Sequence, residues 1–231
     1  MCGRFTRTVD LKTVAQRFGV PTAMEEIKSS RPRYNIAPTQ AVIVVGDDGR
    51  RYLTQMQWGL IPSWAKDPSI GNRMINARAE TLAVKPAFRV ALRKRRCLVV
   101  ADGFYEWQQR ERGKQPVYIV LRSREPFGFA GLWDTWTAPE GEEIKSCTII
   151  TTEANELLKP IHDRMPVILN RDAEALWLDP TIQDPAKLLP LLKRYPAEDM
   201  ELYPVSRLVN SPQHDTPDCI VPAILDTRGA P

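Results

Sequence analysis

Twenty prolines are spread along the 231 residues instead of gathering in a linker. Each removes an amide donor and fixes φ, so a chain punctuated this way folds through many turns. There is no internal repeat or low-complexity tract, and the expectation is one compact domain over 1–231. Asp10 to Phe18 has helical spacing of Leu11, Val14, Ala15 and Phe18, with Gly19 as its stop. Ala41 to Val45 and Arg51 to Trp58 flank Gly46-Asp47-Asp48-Gly49 and read as a β-hairpin. Further strands are expected at Cys97 to Ala101, Val117 to Arg122, Phe127 to Leu132, Ile144 to Thr151, Leu202 to Val205 and Ile220 to Ile224. A helix is expected from near Thr152, loosely capped through Asn155 and Glu156 and ended by Pro160, with short helices at Asp172 to Leu178 and Ala186 to Tyr195. Strands pairing mostly as antiparallel hairpins, with helices at the periphery, make the fold class α+β.

Composition sets outer limits. Apolar residues are 43% and charged residues 26%, ordinary for a globular protein. No apolar run approaches the ~20 residues of a membrane span, and no signal-peptide core is evident, so a cytoplasmic protein is expected. Cys2, Cys97, Cys147 and Cys219 are far apart with no CxxC pair, which suggests neither a zinc ribbon nor a disulfide scaffold. With only two histidines, His162 and His214, no metal centre is expected. Residues 1–110 hold 19 Lys/Arg against 9 Asp/Glu and the remainder 13 against 19, so +10 and −6 make up the net +4. A basic half suits a polyanion, although the run Arg93-Lys94-Arg95-Arg96 reads rather as a solvated helix end.

Residue 2 carries a particular chemistry. Removal of Met1 would place an amine and a thiol on adjacent carbons of Cys2, with ordinary pKa values of about 7.7–8.0 and about 8.5. Such a pair reacts with an aldehyde: the amine forms a Schiff base, and the thiolate closes a five-membered thiazolidine. Taken alone, a cysteine after the initiator is an ordinary accident.

Other segments set polar residues among turn formers and aromatics, as loops over a rigid sheet do. Arg33-Tyr34-Asn35-Ile36-Ala37-Pro38-Thr39 precedes the hairpin, and Trp58-Gly59-Leu60-Ile61-Pro62-Ser63-Trp64 follows it; Trp58 reads equally as core, Trp64 as exposed. Asn76 and Arg78 lie two apart and would face one side of an extended segment. Glu106, in Asp102-Gly103-Phe104-Tyr105-Glu106-Trp107, would have a raised pKa if desolvated between its aromatic neighbours; a solvated edge-strand glutamate is the plainer alternative. His162, followed by Asp163 and Arg164, is the natural proton carrier near neutrality, while lone histidines are more often structural. Val205-Ser206-Arg207 offers one more anion contact.

Taken in order, Met-Cys-Gly-Arg-Phe, Arg-Tyr-Asn-Ile-Ala-Pro, Trp-Gly-Leu-Ile-Pro-Ser-Trp, Ile-Asn-Ala-Arg-Ala-Glu-Thr, Ala-Asp-Gly-Phe-Tyr-Glu-Trp, Ile-His-Asp-Arg-Met-Pro and Pro-Val-Ser-Arg resemble the SOS response-associated peptidase (SRAP) family over essentially the whole chain. The resemblance implies binding of single-stranded DNA and trapping of abasic sites as a covalent DNA-protein crosslink through the N-terminal cysteine. It implies Cys2 as nucleophile, Asn76 as its orienting group, and Glu106 and His162 as proton carriers. Arg4, Asn35, Arg78 and Arg164 would hold the N-terminus or nearby phosphates, Arg207 would add a DNA contact, and Pro38 and Trp64 would cap exposed bases. No cofactor, metal or membrane is implied; the expected partner is single-stranded DNA with abasic sites, met by a monomer in the cytoplasm, at the nucleoid in a bacterium. Two rivals remain at this level: an N-terminal-nucleophile hydrolase or cysteine peptidase using Cys2 and His162, and a non-covalent DNA-binding module in which Cys2 is incidental.

Overall fold

Local punctuation sets the first elements. The computed structural model describes residues 2–21, 27, 31–111 and 113–223. Strand β1 (Phe5–Arg7) leads to helix α1 (Leu11–Phe18), whose first turn is capped by the Asp10 side chain accepting from Thr13 N. Gly19 closes the helix at φ +63, donating its amide back into the last turn; a left-handed residue at this position is what glycine supplies without strain. Strands β2 (Arg33–Ile36), β3 (Ala41–Asp47) and β4 (Arg51–Trp58) follow, and the predicted hairpin has its register at Asp47↔Arg51. After β5 (Asn76–Arg78) and helix α2 (Pro86–Lys94) come β6 (Arg96–Ala101), β7 (Gly103–Arg110), β8 (Gly113–Leu121), β9 (Phe127–Thr137) and β10 (Glu143–Glu153). Strand β11 (Arg164–Pro166), helices α3 (Arg171–Leu178) and α4 (Pro185–Leu188) and strand β12 (Met200–Pro204) complete the set, with 3-10 turns between.

The strands form two sheets. One is ordered β12-β8-β7-β1-β2. In the other, β10, β4, β3, β6 and β9 close on themselves as a small barrel through the β9–β10 pairing, with β5 and β11 also on β10. Alternating residues explain why both faces of the middle strands are apolar. Ile43, Val45, Leu98 and Val100 pack toward the helices. Val42, Val44, Cys97 and Val99 pack with Phe5, Phe104 and Ile119 of the first sheet. The result is the expected α+β domain, mainly antiparallel; the β4 and β5 pairings with β10 are parallel.

Three local expectations fail. No helix starts at Thr152: β10 runs on to Glu153, and Asn155 captures the chain in turns by accepting from Leu158 N and donating to Tyr195 O. The helix foreseen over 186–195 stops at Leu188, and Pro190 allows only a 3-10 turn beyond it. The segment foreseen as strand from Ile220 is a 3-10 turn, Pro217–Ile220, followed by a lone bridge from Pro222 to Val205; residue 224 lies outside the described residues. Nor is the basic run one solvated end. Arg93 and Lys94 are exposed, but the Arg96 guanidinium is buried, donating to carbonyls of Leu92 and Arg93 at the end of α2 and of Trp177 and Asp179 at the end of α3. Among the described residues no helix is long and apolar enough to cross a membrane, and no cluster of three metal-ligating side chains occurs.

Candidate active site and nucleic-acid interface

Cys2 is wholly buried, ahead of a strand held on both sides by β7 and β2. Tyr105 N donates to Arg4 O, and the pairs Phe5↔Phe104 and Thr6↔Gly103 fix the register. This brings the start of the chain alongside Glu106. Asn76 arrives from the other sheet: β5 lies on β10 at Ile149↔Asn76, and Asn76 Nδ2 donates to the Cys2 carbonyl at 2.9 Å. Among the described residues the buried Asn76 Oδ1 has no hydrogen-bond partner. An open acceptor in a buried site carries a desolvation cost and is kept for a reason.

Glu106 is 3% exposed in a strand paired on both sides, so the exposed-edge alternative is overturned. Burial raises its carboxyl above the ordinary carboxylate range, opposed by the positive charge of the amino terminus. Burial first and the Glu106 charge second also push the Cys2 thiol well above its usual value, so the resting sulfur is protonated. His162 follows the turns after β10. Burial and the amino-terminal charge lower its pKa, and Asp163 opposes them, so the ring is neutral near pH 7. Two groups contend for its Nδ1: Arg164 N donates to it at 3.0 Å, and Asp163 Oδ1 lies 2.8 Å away. The lowered pKa favours the acceptor form toward Arg164; protonation would turn Nδ1 toward Asp163. Cys2, Asn76, Glu106 and His162 thus share one region.

The expected DNA contacts divide. Trp64 is 59% exposed at the tip of a braced loop: Ser63 N donates to Asp134, and Trp136 Nε1 to Ala65 O at 2.7 Å. Pro38 is half-buried beside Thr39, whose φ of +70 is unusual for a β-branched residue and is held by Thr39 N donating to Trp58 O. Trp58 itself is core, its Nε1 donating to Ile75 O. Arg78 is exposed and, with Lys159, Asp163, Arg164 and Arg194, lines an open cleft of about 480 Å³. A cavity of similar size, about 460 Å³ against α3, contains none of the candidate side chains.

Other members are committed within the protein. Arg164 makes a bidentate pair with Glu80 and donates to Thr151 O. Arg4 donates to Asn35 Oδ1 and Val209 O, both at 2.7 Å, and lies over the Trp107 ring. Buried Asn35 donates to the carbonyls of Val209, Ser211 and His214. Arg207 is exposed in the 3-10 turn that this strap carries. Sequence reasoning missed Asp215, which accepts from Arg33 and from the amides of Tyr34 and Asn35 and so pins the strap to β2. Nothing local marks that aspartate, since its partners lie about 180 residues earlier.

Comparison with known proteins places this geometry. The family described as SOS response associated peptidase (SRAP) matches residues 1–212. The chain is 48% identical over 222 residues to abasic site processing protein YoqW of Bacillus subtilis (strain 168), covering 95% of this chain and 99% of that protein. It is 38% identical over 229 residues to abasic site processing protein HMCES of Gallus gallus, covering 84% and 67% respectively. A crystal structure of a protein from Bacteroides thetaiotaomicron superposes with a TM-score of 0.85 at 28% identity, covering 96% of this chain and all of that one. The ordered motifs, the family match and these relatives agree: the chain belongs to the SOS response-associated peptidase family.

Proposed function

We propose that the mature chain senses abasic sites in single-stranded DNA and shields them as a covalent thiazolidine crosslink through Cys2, after Met1 is removed. The observation that carries the reading is the meeting of Cys2 with an amide that holds its carbonyl and a buried carboxyl whose pKa burial raises. The relatives named for processing abasic sites indicate the substrate. An abasic deoxyribose opens to an aldehyde at C1′. The neutral amine of Cys2 adds to that carbon, and Glu106 protonates the departing hydroxyl, so water leaves and an iminium remains. Glu106, now a carboxylate, takes the thiol proton as sulfur adds to the iminium carbon and closes the ring. The sum is aldehyde, amine and thiol giving thiazolidine and one water. The open Asn76 Oδ1 is an acceptor for the amine freed with Met1, and neutral His162 is a second proton carrier. Trp64 and Arg78 supply the stacking face and phosphate contact that single strands require. A missing base also lowers the cost of exposing the sugar. The partner is single-stranded DNA, met by a monomer in the cytoplasm.

Intact-mass measurement after incubation with an abasic single-stranded oligonucleotide tests the proposal. Loss of Met1 and a gain of the strand minus one water is the expected result; cleavage of a peptide substrate with no heat-stable adduct would sink it.

A further inference from the structure

At Thr6, four residues after Cys2, no chemistry of the reaction is called for, yet its hydroxyl sits among three polar partners. The Asp102 carboxylate accepts from Thr6 Oγ1 at 2.6 Å through one oxygen, and from Thr8 Oγ1 at 2.8 Å, Thr8 N and Val9 N through the other. Thr6 Oγ1 also lies 2.7 Å from Tyr118 Oη on β8. Thr6 has one proton, and the carboxylate is the stronger acceptor, so the relay runs from the Tyr118 hydroxyl to Thr6 to Asp102. Burial keeps Tyr118 protonated for that role by raising its pKa. The residue next to Asp102 makes the relay possible. A Cβ on Gly103 would come within 2.2 Å of Tyr118 Oη, so only glycine lets the hydroxyl reach Thr6.

We propose that Asp102, through Thr6, Tyr118 and the clearance at Gly103, is a positioning residue for the crosslinking reaction. It fixes β1 along its length and in depth against β7. Cys2 lies four residues before Thr6, ahead of β1, and Glu106 on β7 lies four residues after Asp102, so the Thr6–Asp102 clamp and the approach of Cys2 to Glu106 flank the same short pairing. The ladder to β7 sets the register through only two paired residues, and Phe5, packed among Trp58 and Phe129, adds apolar contact that is not directional. The carboxylate supplies the direction. Displacement of reacting groups by about 1 Å can slow a reaction about 10²-fold even when the change lies away from the chemistry. The inference rests on the crosslinking reading above.

The test separates rate from binding in the mature protein. Affinity is measured with a single-stranded oligonucleotide carrying a tetrahydrofuran abasic analogue, which has no aldehyde, and the single-turnover crosslinking rate with an authentic abasic oligonucleotide. Asp102→Ala is expected to slow crosslinking about 10- to 100-fold while affinity for the analogue stays within about twofold. Asp102→Asn is expected to recover most of the rate, since its carbonyl keeps the Thr8 and Val9 bonds and its amide can donate to Thr6. Gly103→Ala, which leaves the carboxylate intact and displaces Tyr118, is expected to slow the rate by a smaller factor in the same direction. Thr6→Val keeps the Thr8 and Val9 bonds and serves where Asp102→Ala does not fold. An unchanged rate in Asp102→Ala or Thr6→Val, or a parallel fall of rate and affinity with no rescue by Asn, overturns the proposal. Failure of the unsubstituted protein to form any adduct instead overturns the crosslinking reading on which it depends.

Discussion

Two asparagines flank the start of the chain, Asn35 buried and Asn76 half-buried, and they are equipped in opposite ways. Asn35 spends its whole side chain: its Oδ1 accepts from Arg4, and its amide spans three carbonyls of the segment 209–214. Among the described residues Asn76 makes one side-chain bond, to the Cys2 carbonyl, and its buried Oδ1 is open. A protein that leaves a buried acceptor open forgoes about 1–3 kcal/mol. The saturated asparagine is therefore read as construction and the open one as a place kept for a reacting group, although the sequence motifs offered both as site residues.

The sharpest way to break this contrast is at Cys2. Cys2→Ala should abolish the heat-stable adduct on denaturing gels while leaving salt-sensitive DNA binding in place; a persistent adduct would leave the open oxygen of Asn76 with nothing to serve. Next come the asparagines themselves. Asn76→Ala should slow single-turnover crosslinking about 10²-fold and lower stability by about 1 kcal/mol. Asn35→Ala should do the reverse, costing about 2–4 kcal/mol by stranding buried carbonyls. That corresponds to a fall of about 5–15 °C in Tm, at a rate constant near that of the parent. Equal effects of the two on Tm would erase the distinction.

Glu106→Gln extends the comparison to charge. Burial raises the Glu106 pKa in the folded state, so the folded protein holds a proton that the unfolded chain releases. Its stability contribution is complete below the unfolded pKa and is lost as pH rises through the folded one. Glu106→Gln should therefore melt above the parent at pH 8 and level with it at pH 4, and should crosslink more slowly at both. A parent that melts higher at pH 8 would mean a carboxylate stabilised by its partners. The smallest effect expected is at the paired arginines of the cleft. Arg78→Ala should weaken DNA binding and reduce the slope of log K against log salt by about 1, whereas Arg164→Ala should chiefly cost stability through its lost bonds to Glu80 and Thr151. An unaltered slope in Arg78→Ala would remove it from the phosphate track.

What the sequence made legible follows the range of the interaction. Helix α1 could be read to the residue because Asp10 and Gly19 cap it from within. The β3–β4 hairpin was equally plain, its Gly-Asp-Asp-Gly turn lying between two adjacent strand-forming segments. The β3–β6 pairing and the parallel pairings of β4 and β5 with β10 were not, since they join segments far apart in the chain through contacts that no local pattern encodes. The false helix after Thr152 arose because Asn155, weighed as part of a helix start, takes Tyr195 as a partner 40 residues on. Among the proposed site residues, Cys2, Asn76, Glu106 and His162 come from four distant segments of the chain and lie in one region of the fold. The burial of Glu106, the property its proposed role needs, came only with the neighbours of β7. Arg4 and Asn35 were recognised as belonging near the N-terminus, but their partners in the segment 209–214 were invisible without the fold.

The Asp215 contact on β2 has a consequence for how copies of the molecule meet. Strand β2 is the outermost strand of its sheet, and an outer strand with open amides is a template on which another chain can add. The Asp215 carboxylate occupies two successive amides there, those of Tyr34 and Asn35, and is itself paired with Arg33, so neither amide is open to a second chain. The aspartate that anchors the C-terminal strap thereby also discourages strand-by-strand association in a crowded solution.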